Sequence, residues 1–269
     1  MALPEFDLTG KVAIVTGAGR GIGKAIAICF AQAGATTVVA ARTESQIEQT
    51  HQEIEEGGGR CLSIPTDVTK DQDVERMVKG TLESFGKVDI LVNQVGGSGV
   101  GSIVPLPGSK GFLTGGESQD PLSKLAWQHC MDTTLNSVFL CCRSVGPLMI
   151  EQKKGKIINV SSMAAAKGFA NLVPYTVSKA GVAMFTRSLA LEWARYNINV
   201  NGIGPGYIPT SFTEPMLSDQ KRREKLLSSV PLGRFGDPRE IGLLAVYLAS
   251  PASDYMTGQT IYIDGGILA

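Results

Sequence analysis

The 269-residue sequence predicts an α/β protein: a doubly wound parallel sheet of about seven strands with helices on both faces. Three observations carry this. Short β-branched apolar runs alternate with longer runs of helical spacing along the chain. The strand-like runs are apolar throughout, as in strands buried on both faces, where a half-solvated strand would alternate. The alternation also resumes beyond the one long Gly/Pro-rich stretch, so residues 1–269 read as a single domain.

The elements follow in order. Val12–Thr16 (VAIVT), bounded by Gly10 and Gly17, reads as the first strand. Over 23–32, helical spacing puts Ile26, Phe30 and Ala33 on one face, and Gly34 suits the end of that helix. Thr36–Ala41 is the second strand. A polar helix over 43–56 is capped by Thr43 or Ser45 and ended by Gly57. Arg60–Pro65 is a strand, 72–85 a helix and 88–92 a strand. A long helix is expected over 122–152, then a strand over 156–160, a helix over 174–195 and a strand over 198–203. Pro238–Ala249 is the last helix and Thr260–Ile263 the last strand.

Composition excludes several function classes. The chain is 43% hydrophobic and 19% charged, with Lys plus Arg and Asp plus Glu at 25 each. A net charge of zero gives no general affinity for nucleic acid or an anionic membrane. The N-terminal MALPEFDLTGK lacks the basic-then-apolar pattern of a signal peptide. No apolar run approaches the roughly 18 residues that a membrane span needs. Cys29, Cys61, Cys130, Cys141 and Cys142 are odd in number and never in CxxC spacing, which fits a reduced, cytoplasmic protein. His51 and His129 are too scattered for a zinc site, so no metal is expected.

Two stretches carry chemistry. Between the first strand and the first helix stands Thr16-Gly17-Ala18-Gly19-Arg20-Gly21-Ile22-Gly23. Glycines there permit a tight turn and close approach of the backbone to a ligand. The helix N-terminus beyond them offers free N–H groups to a pyrophosphate; a glycine-rich turn without ligand is the plainer alternative. The second stretch, Tyr175-Thr176-Val177-Ser178-Lys179, puts a phenol and an ammonium four residues apart on one helical face. A free phenol has a pKa near 10, and a nearby ammonium lowers it, so the pair can exchange a proton with an alcohol or carbonyl. YxxxK alone is also common on solvated helices.

The glycine spacing does not fit GxGxxG, because Ile22 stands where the third glycine belongs. It fits TGxxxGxG, through Gly17, Gly21 and Gly23, and in this the sequence resembles the short-chain dehydrogenase/reductase family, whose fold is a Rossmann-type sheet. The resemblance runs nearly from end to end. Ser162 lies thirteen residues before Tyr175, where the family sets its catalytic serine, to donate to the substrate oxygen as charge develops. Asn136 in TLNSVF matches the family's proton-relay asparagine, the plainer reading being an ordinary helix asparagine. Asn93-Gln94-Val95-Gly96 stands where the family reads NNAG, and keeps Asn93 and Gly96. Asp67 and Val68 match the segment that holds the adenine ring. Pro205-Gly206-Tyr207-Ile208-Pro209-Thr210 matches PGxxxT, in which Ile208 and Thr210 hold the nicotinamide carboxamide, and Thr257 to Gly266 resembles the last strand.

The resemblance implies hydride transfer between a nicotinamide cofactor and a ketone, aldehyde or secondary alcohol. Tyr175 exchanges the proton. Lys179 lowers the Tyr175 pKa and binds the nicotinamide ribose, and Asn136 holds a water that links Lys179 to solvent. At the end of the second strand, where NAD binders place an acid, stand Ala41 and Arg42. Arg42 and Arg20 suit a 2′-phosphate, so NADP(H) is expected ahead of NAD(H), with plain surface arginines as the alternative. A 3-oxoacyl carrier-protein reductase and a non-catalytic dinucleotide-binding regulator are the other readings; the zero net charge speaks against the first and the intact Ser162, Tyr175 and Lys179 against the second. The family resemblance also implies a homotetramer, or a homodimer, packed through the helices of Asn136 and Tyr175. Two segments are expected to border the substrate entrance: an enlarged loop over 98–121 and a Leu/Met-containing segment over 210–231. Met163, Phe169, Leu172 and Tyr207 are candidate pocket walls for an apolar to mixed substrate, though such residues serve equally as core.

Overall fold

In the computed structural model, residues 3–97, 99–106 and 121–269 are described, with 215 and 216 as backbone only. Seven parallel strands form one sheet: β1 (Val12–Thr16), β2 (Thr36–Ala41), β3 (Arg60–Pro65), β4 (Ile90–Asn93), β5 (Gly155–Val160), β6 (Ile198–Pro205) and β7 (Thr260–Ile263). Their order across the sheet is β3-β2-β1-β4-β5-β6-β7. The chain therefore winds outward in one direction from β1 and in the other from β4. β1 and β4 are direct neighbours, in the register Ala13↔Ile90 to Val15↔Val92. A crevice opens beyond the carboxyl ends of strands at such a reversal, and ligands bind there.

Period-two alternation sends each strand's side chains to two separate cores. Ala13 and Val15 join Ile26, Phe30, Ile47 and Ile241, which come from helices α1 (Gly21–Gln32), α2 (Glu44–Glu56) and α9 (Pro238–Ala249). Val12 and Ile14 join Val74, Met77, Val145, Val182 and Trp193 on the other face, under α3 (Asp71–Phe85), α5 (Ser137–Gln152) and α6 (Val173–Trp193). Phe30 is fully buried, as its place in the apolar periodicity of α1 requires, and burying such a side chain contributes about 1.5–3 kcal/mol. The Asp237 carboxylate caps α9, and the Glu240 side chain accepts from the Asp237 N–H in return.

Three expectations need correction. The first helix starts at Gly21, so part of the glycine loop is already helical. The expected helix over 122–152 is divided into α4 (Lys124–Met131), a π-helical turn (Asp132–Asn136) and α5. β6 runs on to Pro205, which brings the Pro-Gly turn to the sheet edge. Within 210–231 the chain forms two short helices, α7 (Glu214–Leu217) and α8 (Gln220–Leu227). Of the enlarged loop, residue 98 and residues 107–120 lie outside the described residues. Its described ends are drawn together, with Leu122 N–H donating to Ser102 O at 2.7 Å. Gly101 N–H donates to Asn171 O, 3.0 Å away, tying the loop to the segment before α6.

Candidate active site

The crevice at the strand reversal is a cleft of about 330 Å³. At one end lies the glycine loop. Gly17 and Gly21 have φ of +68° and +56°, left-handed values that favour glycine. A Cβ on Gly23 would overlap the Gly17 carbonyl and stand 2.6 Å from the Gln94 Oε1, so the start of α1 can press against the turn only without a side chain there. Thr16 fastens this turn to the next strand: its hydroxyl donates to Val92 O and accepts from Gln94 N–H, both at 3.1 Å. Gly17, Gly21, Ile22, Arg20 and Arg42 line this end, with Asp67 and Val68 from the end of β3 opposite. Asp67 is partly committed to its own turn, accepting from Thr69 N–H at 3.1 Å and from its hydroxyl at 2.8 Å. A bare backbone cradle at a helix N-terminus, flanked by two guanidiniums, is a fitting seat for a dinucleotide pyrophosphate.

At the other end, β5 and α6 bring Ser162, Tyr175 and Lys179 together. Ser162 follows the last residue pair of β5 and caps a short 3-10 turn, its Oγ accepting from Ala164 N–H at 3.1 Å. Burial pushes the Tyr175 phenol above its ordinary value, and a hydrogen bond with the Ser162 side chain works the other way. One turn further along α6, the Lys179 Nζ lies 5.9 Å from the centroid of the Tyr175 ring. It donates to Val160 O at 2.8 Å, and burial pulls its pKa down to about 8. Ser161, the other serine of the pair, also lines the cleft but has its hydroxyl committed, donating to the Lys179 carbonyl at 2.8 Å. Gly96 lies over the ammonium: a Cβ there would come to 3.2 Å from Nζ. Pro205, Gly206, Ile208 and Thr210 close the cleft from β6. Thr213 shapes that segment, donating to Ile208 O at 2.7 Å and accepting from Thr210 N–H at 2.9 Å.

Three of the expected residues do not line the cleft. Gly23 supports it as described. Asn93 is buried beneath, donating to Asn159 Oδ1 at 2.9 Å across the β4–β5 pair. Asn136 is exposed, and its Nδ2 donates to Asp132 Oδ1 at 2.7 Å. The π turn accounts for this. It fits one more residue into the turn, so Thr133 and Thr134 both face inward and Asn136 falls on the outer side. Thr134 is the residue that reaches the lysine region. Its hydroxyl accepts from Gly97 N–H at 3.0 Å, and it stands 3.8 Å from where a Gly96 Cβ would be. Gln94, the departure from the family's NNAG, packs on the glycine loop, and the sequence reading missed Phe212, whose ring lies 6.2 Å from that of Tyr175. Phe212 had one available signal, an aromatic two residues beyond Thr210 in a segment already expected at the entrance.

A family model described as Enoyl-(Acyl carrier protein) reductase matches residues 17–268. The chain belongs to the short-chain dehydrogenase/reductase family. Among its relatives in the family is the 2-dehydro-3-deoxy-D-gluconate 5-dehydrogenase of Dickeya dadantii (strain 3937), 38% identical with both chains fully covered. Another is the 3-oxoacyl-[acyl-carrier-protein] reductase of Synechocystis sp., 36% identical over 97% of this chain and 98% of that one. A solved structure of 7 alpha-hydroxysteroid dehydrogenase, complexed with NADH and 7-oxo glycochenodeoxycholic acid, superposes with a TM-score of 0.89. It is 32% identical, with 99% of this chain and 98% of that chain covered. This short-chain dehydrogenase/reductase is accordingly an NAD(P)-dependent oxidoreductase acting on CH–OH groups and the corresponding carbonyls. Among the described residues, no helix is long and apolar enough to cross a membrane.

Proposed function

We propose that the protein interconverts a ketone or aldehyde and its alcohol with NADP(H), using Ser162, Tyr175 and Lys179. The observation that carries the reading is that Ser162, Tyr175 and the buried Lys179 line one end of the cleft together, the Lys179 ammonium 5.9 Å from the centre of the Tyr175 ring. The bound nicotinamide supplies or accepts the hydride. In the reducing direction the Tyr175 hydroxyl gives its proton to the carbonyl oxygen, and the Ser162 hydroxyl donates to the same oxygen as negative charge gathers there. In the oxidising direction the Tyr175 phenolate takes the alcohol proton. Lys179 favours that phenolate by its charge and is placed to bind a ribose hydroxyl. With its pKa at about 8, it is mainly an ammonium at pH 7.

Arg20 and Arg42 support the preference for NADP(H) over NAD(H). Both line the cleft, and among the described residues neither guanidinium makes a hydrogen bond or an ion pair. A 2′-phosphate would satisfy them, and no carboxylate stands at the end of β2 to repel it. Gly17, Gly21, Ile22, Asp67, Val68, Gly96, Pro205, Gly206, Ile208 and Thr210 line the same cleft and are assigned to the cofactor, with Gly23 and Asn93 as supports beneath it. The whole chain acts as one cytoplasmic unit that holds both cofactor and substrate. A homotetramer or homodimer is supported by a stripe of exposed apolar side chains on α6, Val177, Met184 and Leu191, each seven residues from the next, with Phe139 exposed on α5.

The deciding experiment assays a panel of ketones and alcohols with NADPH/NADP and NADH/NAD. Turnover favouring the phosphorylated cofactor is expected, and a clear NADH preference overturns the assignment of Arg20 and Arg42. The 3-oxoacyl carrier-protein reductase reading is retained on the similarity to the Synechocystis enzyme. Faster turnover of a carrier-linked substrate than of any free ketone would favour it.

A further inference from the structure

The reaction end of the cleft has one polar focus in an apolar frame. Val100, Met163, Phe169, Leu172, Tyr207 and Phe212 form its walls. The hydroxyls around it are already committed. Thr133 donates to His129 O at 2.7 Å, and Thr213 bonds to Ile208 and Thr210 as above. Tyr207 lines the cleft with its ring edge-on to that of Phe235, and its phenol lies near the Ser229 side chain. Ser211 is exposed at the rim. That leaves Ser162 and Tyr175, which the reacting oxygen itself occupies. Among the described residues, the charged side chains lining the cleft are Arg20, Arg42 and Asp67, all at the glycine-loop end, and Lys179, buried beneath Gly96. Among the described residues, nothing at the reaction end pairs with a carboxylate, and little there remains for a row of sugar hydroxyls.

On the reading of the site proposed above, we infer that the substrate is a neutral ketone or secondary alcohol with apolar groups flanking the reacting carbon, and that polyhydroxy acids are turned away. The physical reason is desolvation. A carboxylate moved into this frame loses its water and finds no cation, whereas an alkyl group of the same shape gains buried apolar contact. On this inference, 2-dehydro-3-deoxy-D-gluconate, named for the relative from Dickeya dadantii, is not a substrate of this enzyme.

The test uses an isosteric pair, 4-isopropylcyclohexanone and 4-oxocyclohexanecarboxylate, with 2-dehydro-3-deoxy-D-gluconate as a third probe. Initial rates are measured with the full-length enzyme and NADPH. Binding is measured by calorimetry on the NADPH complex of Tyr175→Phe, whose nicotinamide is neutral, so that it reports the walls without the chemistry. The expected result is at least about a 100-fold preference for the neutral ketone in kcat/KM, with the same order in affinity. Leu172→Arg should narrow that ratio at least about 10-fold, by placing a cation in the wall. Equal or tighter binding of either acid overturns the inference. That outcome is separate from a failure of the catalytic reading, which would show as turnover surviving in Tyr175→Phe whatever the order of binding.

Discussion

Replacing Lys179 by methionine should make the cofactor-free protein more stable while removing its activity. The Lys179 ammonium is buried, and its pKa falls from an ordinary 10.5 to about 8. The unfolded chain thus keeps this proton up to about 10.5 and the folded one releases it near 8. The unfolded state binds more protons between those values, so folding stability rises with pH across that window. At pH 7 the gap amounts to a penalty of about 3.4 kcal/mol, at about 1.36 kcal/mol for each pH unit. Methionine removes the charge and keeps the shape of the stem. It also leaves Val160 O without its donor, which costs about 1 kcal/mol. The net gain at pH 7 is about 2 kcal/mol, or about 4–8 °C in Tm. At pH 10 the wild-type penalty shrinks below about 1 kcal/mol, and the two proteins should melt together. The assay is thermal unfolding without cofactor, at one protein concentration, from pH 7 to 10. A difference that does not change with pH, or a wild type more stable at pH 7, refutes the reasoning.

Tyr175→Phe should lower kcat/KM at least about 1,000-fold while nucleotide binding, followed by fluorescence, stays within about 3-fold, because only the proton-bearing oxygen is lost. Arg42→Ala should raise KM for NADPH at least about 10-fold and change KM for NADH by less than about 3-fold, and the NADPH effect should fade at high salt. Asn136→Ala removes an exposed bond to Asp132 and should leave kcat within about 2-fold of wild type. Thr134→Val strands the Gly97 N–H above the lysine, and should cost about 1–3 kcal/mol in chemical unfolding and lower kcat more than it raises KM.

What the sequence made legible was whatever depends on local spacing. The apolar runs of β1, β2 and β5 stand where buried strands were expected, because a strand buried on both faces needs no partner to be recognised. Ser162, Tyr175 and Lys179 come together because a strand end and one helical turn place them, and both are short-range features. Asn136 shows the limit. An i, i+4 face assumes 3.6 residues per turn, and the π turn over Asp132–Asn136 breaks that period just before the residue in question. Nothing in TTLN marks the extra residue. The contact of Gln94 with the glycine loop and the place of Phe212 were not legible for another reason: they arise from packing between segments far apart in sequence, on Gly17 and Gly23 and on Tyr175.

The two ends of the cleft place opposite demands on one fold, and the sheet order meets both. The glycine-loop end needs exposed backbone N–H groups and unpaired cations. It takes them from β1, β2 and β3, where helix N-termini and the β2 end already face solvent. The reaction end needs a dry frame around one hydroxyl pair. It takes that from β5, β6 and the start of α6, with Met163 buried and Phe169, Leu172 and Tyr207 half-buried around the pair. Because β1 and β4 are adjacent, a single extended ligand crosses from one environment to the other without leaving the sheet edge. The cost falls on Lys179, a cation held in the dry half, and the same burial that lowers its pKa makes its proton available near neutral pH. A charge that weakens the fold is therefore tolerable at this position, where Val160 O holds it and it stands beside the Tyr175 ring; Lys156, the other buried lysine among the described residues, is instead paired with Asp254.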